Sequence, residues 1–247
     1  MLEMNKKGFL NGHTPFSALL AFTTSVVAVT SGIRNIALSN ENSANESTLP
    51  GTNINHQYSK SMEFENDFRY YSRSFLHAGL NYFSFLRPLN ELQIAKLFSQ
   101  YPQHFYSFRS CNVGSKTDSW CGKCPKCLFT FLILSPFISN KELNKIFNNN
   151  LLEDVTLETI FEELTGLSPV KPFECVGTPV EVISAVNEAS KKFPEIQKMK
   201  LLKPHFSLIK NPHKNQFEKL LNNYEKDHNL NKEFLQILIN IYNELEN

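Results

Sequence analysis

The chain has no excess of either charge. Its 25 Lys+Arg stand against 24 Asp+Glu, a formal net charge of +1. A general electrostatic binder of nucleic acid needs a basic excess, so that class is excluded. An even set of cysteines is also missing. Five are present, three of them crowded together, which argues against a secreted disulfide scaffold. There is no apolar run of the roughly 20 residues that a bilayer span requires. The best candidate, 16–29, is broken by Ser17, Thr23, Thr24 and Ser25. Lys6 and Lys7 precede it but no clean small-x-small cleavage site follows, so a targeting segment is not expected. No internal repeat is found, and the many asparagines are scattered rather than gathered in a tract.

What is present is a core. Hydrophobic residues make up 41% of the 247 positions and aromatics 12%, with 21 Phe, which excludes global disorder. The length suits one good-sized domain or two small ones. Thr14 can cap a helix that has Pro15 at its first position. Its apolar residues run nearly all round to Val29, the pattern of a helix buried against a sheet, and Gly32 ends it. Residues 33–38 read as a short buried strand. The polar loop 39–46 follows at that strand's C-terminal end, where open α/β sheets bind ligands. A helix is expected over 62–78, with Phe64, Phe68, Tyr71 and Phe75 at helical spacing. Strands are expected over 82–86 and 104–109. Between them Asn90 and Gln93 form a capping box for a helix to 101. The alternation predicts a parallel α/β sheet.

Beyond the cysteines the chain reads as all-helical. Ser139 with Glu142 forms a capping box, Gly166 is a helix stop, and Thr178-Pro179-Val180-Glu181 is a helix start. Phe234, Leu235, Leu238, Ile241, Tyr242 and Leu245 share one helical face. The expected boundary lies near Ser139, dividing an α/β part (1–138) from a helical part (139–247).

Cys111-x9-Cys121-x2-Cys124-x2-Cys127 is the strongest local signal. Four thiolates around one ion suit tetrahedral Zn²⁺. A closed set of four is structural, because no position remains for water. Gly122 permits the tight turn, and Lys123 and Lys126 offset the negative charge. An iron–sulfur cluster and a redox dithiol are the competing readings. Cys175 stands far along the chain and reads either as a small buried hydrophobe or as a reactive group.

Seven ordered blocks carry a resemblance. They are Asn11-Gly12-His13-Thr14-Pro15, Ser39-Asn40-Glu41-Asn42-Ser43-Ala44, the run from Asn55 to Glu65, and Tyr82-Phe83-Ser84-Phe85-Leu86-Arg87-Pro88-Leu89. Then come Phe108-Arg109-Ser110-Cys111-Asn112, the Trp120-to-Phe129 knuckle, and Lys171-Pro172-Phe173-Glu174-Cys175-Val176-Gly177. The knuckle is similar to that of zinc-bearing PP-loop ATP pyrophosphatases, including the 7-cyano-7-deazaguanine synthase family. The full set resembles a narrower family, the UDP-N-acetyl-α-D-muramoyl-L-alanyl-L-glutamate epimerases of peptidoglycan synthesis. Members of that family carry a phosphate-binding loop Ser-Gly-Gly-x-Asp-Ser that this sequence does not contain. Gly114-Ser115-Lys116-Thr117-Asp118-Ser119 is faintly like it but lies between metal ligands, and is read as a coincidence. The resemblance therefore covers the C-terminal portion. It implies a partial PP-loop (HUP-like) parallel sheet with a four-cysteine zinc knuckle, followed by an all-helical region. The chain is then a fragment, half of a split enzyme, or a remnant.

The activity implied by the resemblance inverts the terminal L-Glu of UDP-MurNAc-L-Ala-L-Glu, consuming ATP and releasing AMP and pyrophosphate. Adenylylation would remove the carboxylate charge that keeps the α-proton poorly acidic; a base could then take that proton. The implied cofactors are ATP, Mg²⁺ and a structural Zn²⁺. Asn11, Gly12 and His13 are candidates for phosphate, and Ser39, Asn40 and Glu41 for nucleotide or Mg²⁺. Plain helix capping and a capped polar turn are their bland alternatives. His56, Lys60, Glu174 and Cys175 are the catalytic candidates. Gln57, Ser59, Arg87 and Arg109 are the substrate candidates, and Cys111, Cys121, Cys124 and Cys127 the metal ligands. The implied partners are the UDP-linked muramoyl dipeptide and a separately encoded N-terminal half, with no nucleic acid and no membrane. The location is cytoplasmic, where the UDP-linked substrate is made. The rival readings are another PP-loop ligase or amidating enzyme, and a non-catalytic zinc-stabilised module.

Overall fold

The structure, a computed structural model, describes residues 7–8, 16–47, 52, 55–76, 79–172, 174–209 and 213–244. Asn11, Gly12, His13, the Thr14-Pro15 cap and Leu245 lie outside the described residues. The described chain is mixed α/β and mostly helical. Helix α1 spans Phe16–Thr30, β1 Asn35–Leu38, α2 Met62–Tyr71, β2 Asn81–Ser84 and α3 Glu91–Phe98. Helices α4 (Pro125–Leu134), α5 (Asn140–Ile146), α6 (Glu158–Thr165), α7 (Pro179–Lys192), α8 (Gln216–Asn222) and α9 (Lys232–Asn243) follow. No strand lies beyond β2 among the described residues. None of the described helices is long and apolar enough to cross a membrane.

Strands β1 and β2 pair in parallel, with Ile36 opposite Tyr82 and Ala37 opposite Phe83. Side chains alternate across a strand, so Tyr82 and Phe83 face opposite sides of the sheet. Ile36 and Tyr82 pack with Ala21, Ala28 and Phe68 from α1 and α2. Phe83 packs with Leu89, Leu230 and Leu238, and its ring stacks on Phe234 of α9 at 5.0 Å. The C-terminal helix thus returns to cover the second face of the sheet. A larger core runs from Leu92 to Leu221 and takes side chains from both sides of residue 138.

The expected third strand over 104–109 is not formed. Phe105 donates its N–H to the Pro102 carbonyl and Phe108 to that of His104, so the chain coils here. The reason is spacing. Phe105 and Phe108 are three apart, which one turn places on one side, whereas a strand would send them to opposite faces. Both close on Phe98, with ring centres 5.5 and 4.5 Å away. Helix α1 also differs from a helix buried all round. Only Ala21, Ser25 and Ala28 are buried, while Phe16, Leu19, Val26, Val27 and Val29 are more than half exposed. Small residues at four- and three-residue spacing let the helix backbone approach the sheet, and the large ones face outward.

The capping signals meet different fates. Asn90 with Gln93 and Thr178 with Glu181 form complete capping boxes. Gly166 ends α6 in the left-handed region at φ +71°. Ser139 accepts from Glu142 N–H, but the Glu142 carboxylate turns outward to Tyr106 and Lys145.

Arg87 lies just past β2 and has no exposed surface. One Nη donates to the Glu41 carbonyl at 2.7 Å. The other donates to the Lys60 carbonyl at 2.6 Å and Ser84 Oγ at 3.2 Å, and faces Glu65 Oε2 at 3.4 Å. Breaking such a buried pair leaves an uncompensated charge. Arg87→Met is therefore expected to cost about 3–5 kcal/mol, read as a lowered urea midpoint. Loss within measurement error would show that the guanidinium does not carry the fold.

Candidate active site and cysteine cluster

Cys124 is the residue just before α4 and Cys127 lies in its first turn, so helix geometry alone aims both sulfurs at one point. Their Sγ atoms are 3.5 Å apart. Cys121 lies 3.7 Å from Cys127, and Cys111 lies 3.7 Å from Cys124. All four sulfurs fall within 4.8 Å of one another. A disulfide needs about 2.05 Å, and the cysteines are free thiols. Bonds of about 2.3 Å to a central zinc put tetrahedral sulfurs about 3.8 Å apart. The spacing and the all-sulfur donor set fit a tetrahedral soft metal ion. Gly122 adopts φ +67°, which closes the turn between Cys121 and Cys124. Backbone N–H groups of Gly114 and Lys123 donate to the sulfurs of Cys111 and Cys121. Hydrogen bonding from Cys127 draws the Cys124 thiol down to about 5, and the same contact pushes Cys127 up.

Two of the expected site residues serve this loop. Arg109 Nε donates to the Asp118 carbonyl at 3.1 Å and pairs with its carboxylate at 3.4 Å, bracing the span between Cys111 and Cys121. Glu174 accepts from Asn112 at 3.3 Å and pairs with Lys126 at 3.7 Å. Neither is among the side chains lining the two cavities described next.

The other candidates converge. His56, Gln57, Ser59, Lys60 and Cys175 all line one cavity of about 520 Å³, beside Phe16 and Phe64. Lys60 Nζ donates to Cys175 Sγ at 3.2 Å across 115 residues of sequence. The turn bearing Lys60 is locally fixed. Asn55 Oδ1 accepts from Gln57 N–H at 2.7 Å, and its amide donates to the Ala44 carbonyl at 2.8 Å. Ser61 then caps α2 through Phe64 N–H. Arg87 sits beneath this turn, where it positions Lys60 and Glu41 through their carbonyls. Ser39 is exposed, Asn40 donates to Ser84 Oγ at 3.1 Å, and Glu41 caps the Ser43 N–H.

Cys175 also lines a second cavity of about 290 Å³ with Glu91, Lys126 and a wall of apolar side chains. Glu91 opens α3, and its N–H donates to Glu181 Oε1 at 2.7 Å. The other oxygen of Glu181 accepts from Thr178 N–H at 2.7 Å, so one buried carboxylate joins the starts of α3 and α7. A Cβ on Gly177 would meet that oxygen at 2.9 Å and the Phe129 ring at 3.0 Å, so the approach requires glycine there. Sequence reasoning missed Glu91. At the first position of a helix it looks like an ordinary complement to the helix dipole. Glu181 was legible as a cap but not as the anchor of a second helix.

Burial raises the carboxyls of Glu41 and Glu181, and raises Glu91 well above the ordinary range. Glu41 and Glu181 push Glu91 further by like-charge repulsion, while Lys171 and Lys60 oppose them. The folded protein thus binds these protons more tightly than the unfolded chain. Their stabilisation is full below the unfolded value and is lost as pH rises through the folded values. The urea midpoint is expected to fall as pH rises above the ordinary carboxyl range, and Glu91→Gln to flatten that fall. An unchanged slope in the variant would place Glu91 outside the effect.

The family model of the MurL N-terminal domain matches residues 1–85, and that of the MurL C-terminal domain matches residues 107–219. The chain is 40% identical over 185 residues to a UDP-N-acetyl-alpha-D-muramoyl-L-alanyl-L-glutamate epimerase of Xanthomonas oryzae pv. oryzae, covering 72% of the chain and 41% of the relative. It is 38% identical over 195 residues to the proteins of that name from Salinispora tropica and a Micromonospora species. Those matches cover 76% of the chain and 42% and 43% of the relatives. The chain spans about two fifths of the length of these curated relatives. No solved structure matches it. With both domain models matched in order and these identities over most of its length, the chain belongs to the MurL family.

Proposed function

We propose that the chain is the C-terminal portion of an ATP-dependent isomerase of peptidoglycan synthesis. The reaction inverts the terminal L-Glu of UDP-MurNAc-L-Ala-L-Glu and releases AMP and pyrophosphate. The single observation that carries the reading is the Lys60–Cys175 contact inside the cavity lined by His56, Gln57 and Ser59. An α-proton beside a free carboxylate is poorly acidic; joining that carboxylate to AMP as a mixed anhydride, with pyrophosphate leaving, would remove the charge, and water would release AMP after the inversion. Cys175 then takes the α-proton at sulfur. The Lys60 ammonium orients that sulfur and offers positive charge to the oxygen where the enolate develops. His56 lines the same cavity and offers a ring nitrogen for proton transfer there. Gln57 and Ser59 offer hydrogen bonds to the substrate.

A PP-loop-like architecture is supported by the parallel pair and the loop 39–46 at its C-terminal end, where nucleotide and Mg²⁺ would meet Glu41. The phosphate loop would come from the remaining part of the N-terminal domain, attached or separately encoded. The outward apolar side chains of α1 give that part a surface to cover. The UDP-linked substrate implies a cytoplasmic location. Zinc at the four cysteines is structural, tying the loop 111–124 to α4.

Two measurements test these readings. One zinc per chain is expected by elemental analysis, and Cys127→Ser is expected to lose it with a fall in Tm; a metal-free, equally stable wild type overturns the zinc. The chain combined with the N-terminal portion of the Xanthomonas relative is expected to form the D-Glu product only with ATP. Lys60→Ala should slow it by about 10²–10⁴-fold, the usual value of a positioned acid–base group. An amidated product points to a ligase instead, and no turnover points to a non-catalytic module.

A further inference from the structure

We propose that Glu91 is a second acid–base group of the reaction, working with Cys175 from the smaller cavity. This rests on the epimerase reading above. Inversion of a carbon centre needs a proton removed from one side and returned on the other, and a single sulfur serves one side.

Cys175 and Glu91 both open into the 290 Å³ cavity, and Cys175 alone of the two also faces the larger one. The wall around Glu91 is mostly apolar, with Ile94, Phe98, Phe108, Phe129 and Ile133, and it also carries Ser110 and Thr130. Among the described residues the Glu91 carboxylate makes no hydrogen bond and no ion pair, so it is not spent on the fold. Its backbone, by contrast, is pinned. The Glu181 carboxylate holds Glu91 N–H, and the Asn90–Gln93 capping box fixes the helix start. A pinned backbone and an uncommitted carboxyl that shares a cavity with the Cys175 sulfur is the arrangement a general acid needs. The charged groups around it are Glu41, Glu181, Lys60 and Lys171, with Lys126 on the cavity wall. Burial and the two carboxylates keep Glu91 in the protonated form at a pH where an ordinary glutamate is ionised.

The proton balance closes. The α C–H bond breaks and an S–H bond forms on Cys175. The Glu91 O–H bond breaks and a new C–H bond forms at the same carbon, leaving Glu91 as carboxylate. Water then removes the proton from sulfur and returns one to Glu91. In the opposite direction the two groups exchange roles.

The test uses the chain combined with the N-terminal portion, in D₂O with ATP. Its probes are UDP-MurNAc-L-Ala-L-Glu and its D-Glu epimer. Glu91→Gln is expected to slow inversion by about 10²–10⁴-fold while still exchanging the α-hydrogen of one epimer. Cys175→Ala is expected to retain exchange in the other epimer. Loss of exchange from both epimers in Glu91→Gln, or inversion at the wild-type rate, overturns the proposal. An infrared difference spectrum of wild type minus Glu91→Gln, recorded just above the ordinary carboxyl range, needs no turnover. It is expected to contain a protonated carboxyl C=O band, and its absence overturns the assignment. Failure of the wild-type assembly to epimerise either probe overturns the epimerase reading instead.

Discussion

A guanidinium without exposed surface is the constraint on which this site depends. Arg87 donates to the carbonyl of Glu41 at the end of the β1 loop and to that of Lys60 in the turn before α2. Two segments nearly twenty residues apart are therefore held on one planar fork. Its charge is met by Glu65, which also accepts from Ser84 N–H and from the Asn229 amide. Burying an ion pair is costly, and the cost is offset only when the remaining lone pairs and protons find partners. Here most do. The result is a rigid floor under Lys60, so the Lys60–Cys175 contact is set by backbone bonds rather than by a long flexible side chain alone.

A second constraint works from the opposite wall. Glu181 is buried and accepts from the first N–H groups of two helices. Those are unsatisfied donors at the positive ends of α3 and α7, which favours an anion there. Glu91 is carried into its cavity by the same contact that satisfies its own N–H. The two carboxylates differ in what surrounds them: Glu181 meets backbone N–H groups, while Glu91 lines a mostly apolar cavity.

The parts of the fold legible in the sequence were those encoded within four residues. Asn90 with Gln93, Thr178 with Glu181, and Gly166 act locally, and local chemistry decided them. The cysteine spacing was legible for the same reason, since Cys124 and Cys127 are one helical turn apart. Phe105 and Phe108 misled because their aromatic character favours a strand, while their spacing favours a turn around Phe98. The outward face of α1 was hidden, because its alternation is between small and large apolar residues and not between apolar and polar ones. Lys60 and Cys175 could be named as candidates from the resemblance. Their contact spans 115 residues and is fixed by tertiary packing, which no local pattern records.

The C-terminal segment completes the argument. A two-stranded sheet alone is marginal and needs both faces covered. Helices α1 and α2 cover the Ile36–Tyr82 face, and α9 covers the Phe83 face through Phe234 and Leu238. Before reaching the sheet, this segment donates Glu225 N–H to the Pro88 carbonyl and the Asn229 amide to Glu65. These contacts fall on the residue next to Arg87 and on its counter-ion. The segment leading into the last described helix therefore supports the same guanidinium that positions Lys60. The last described helix, the sheet and the site form one connected structure.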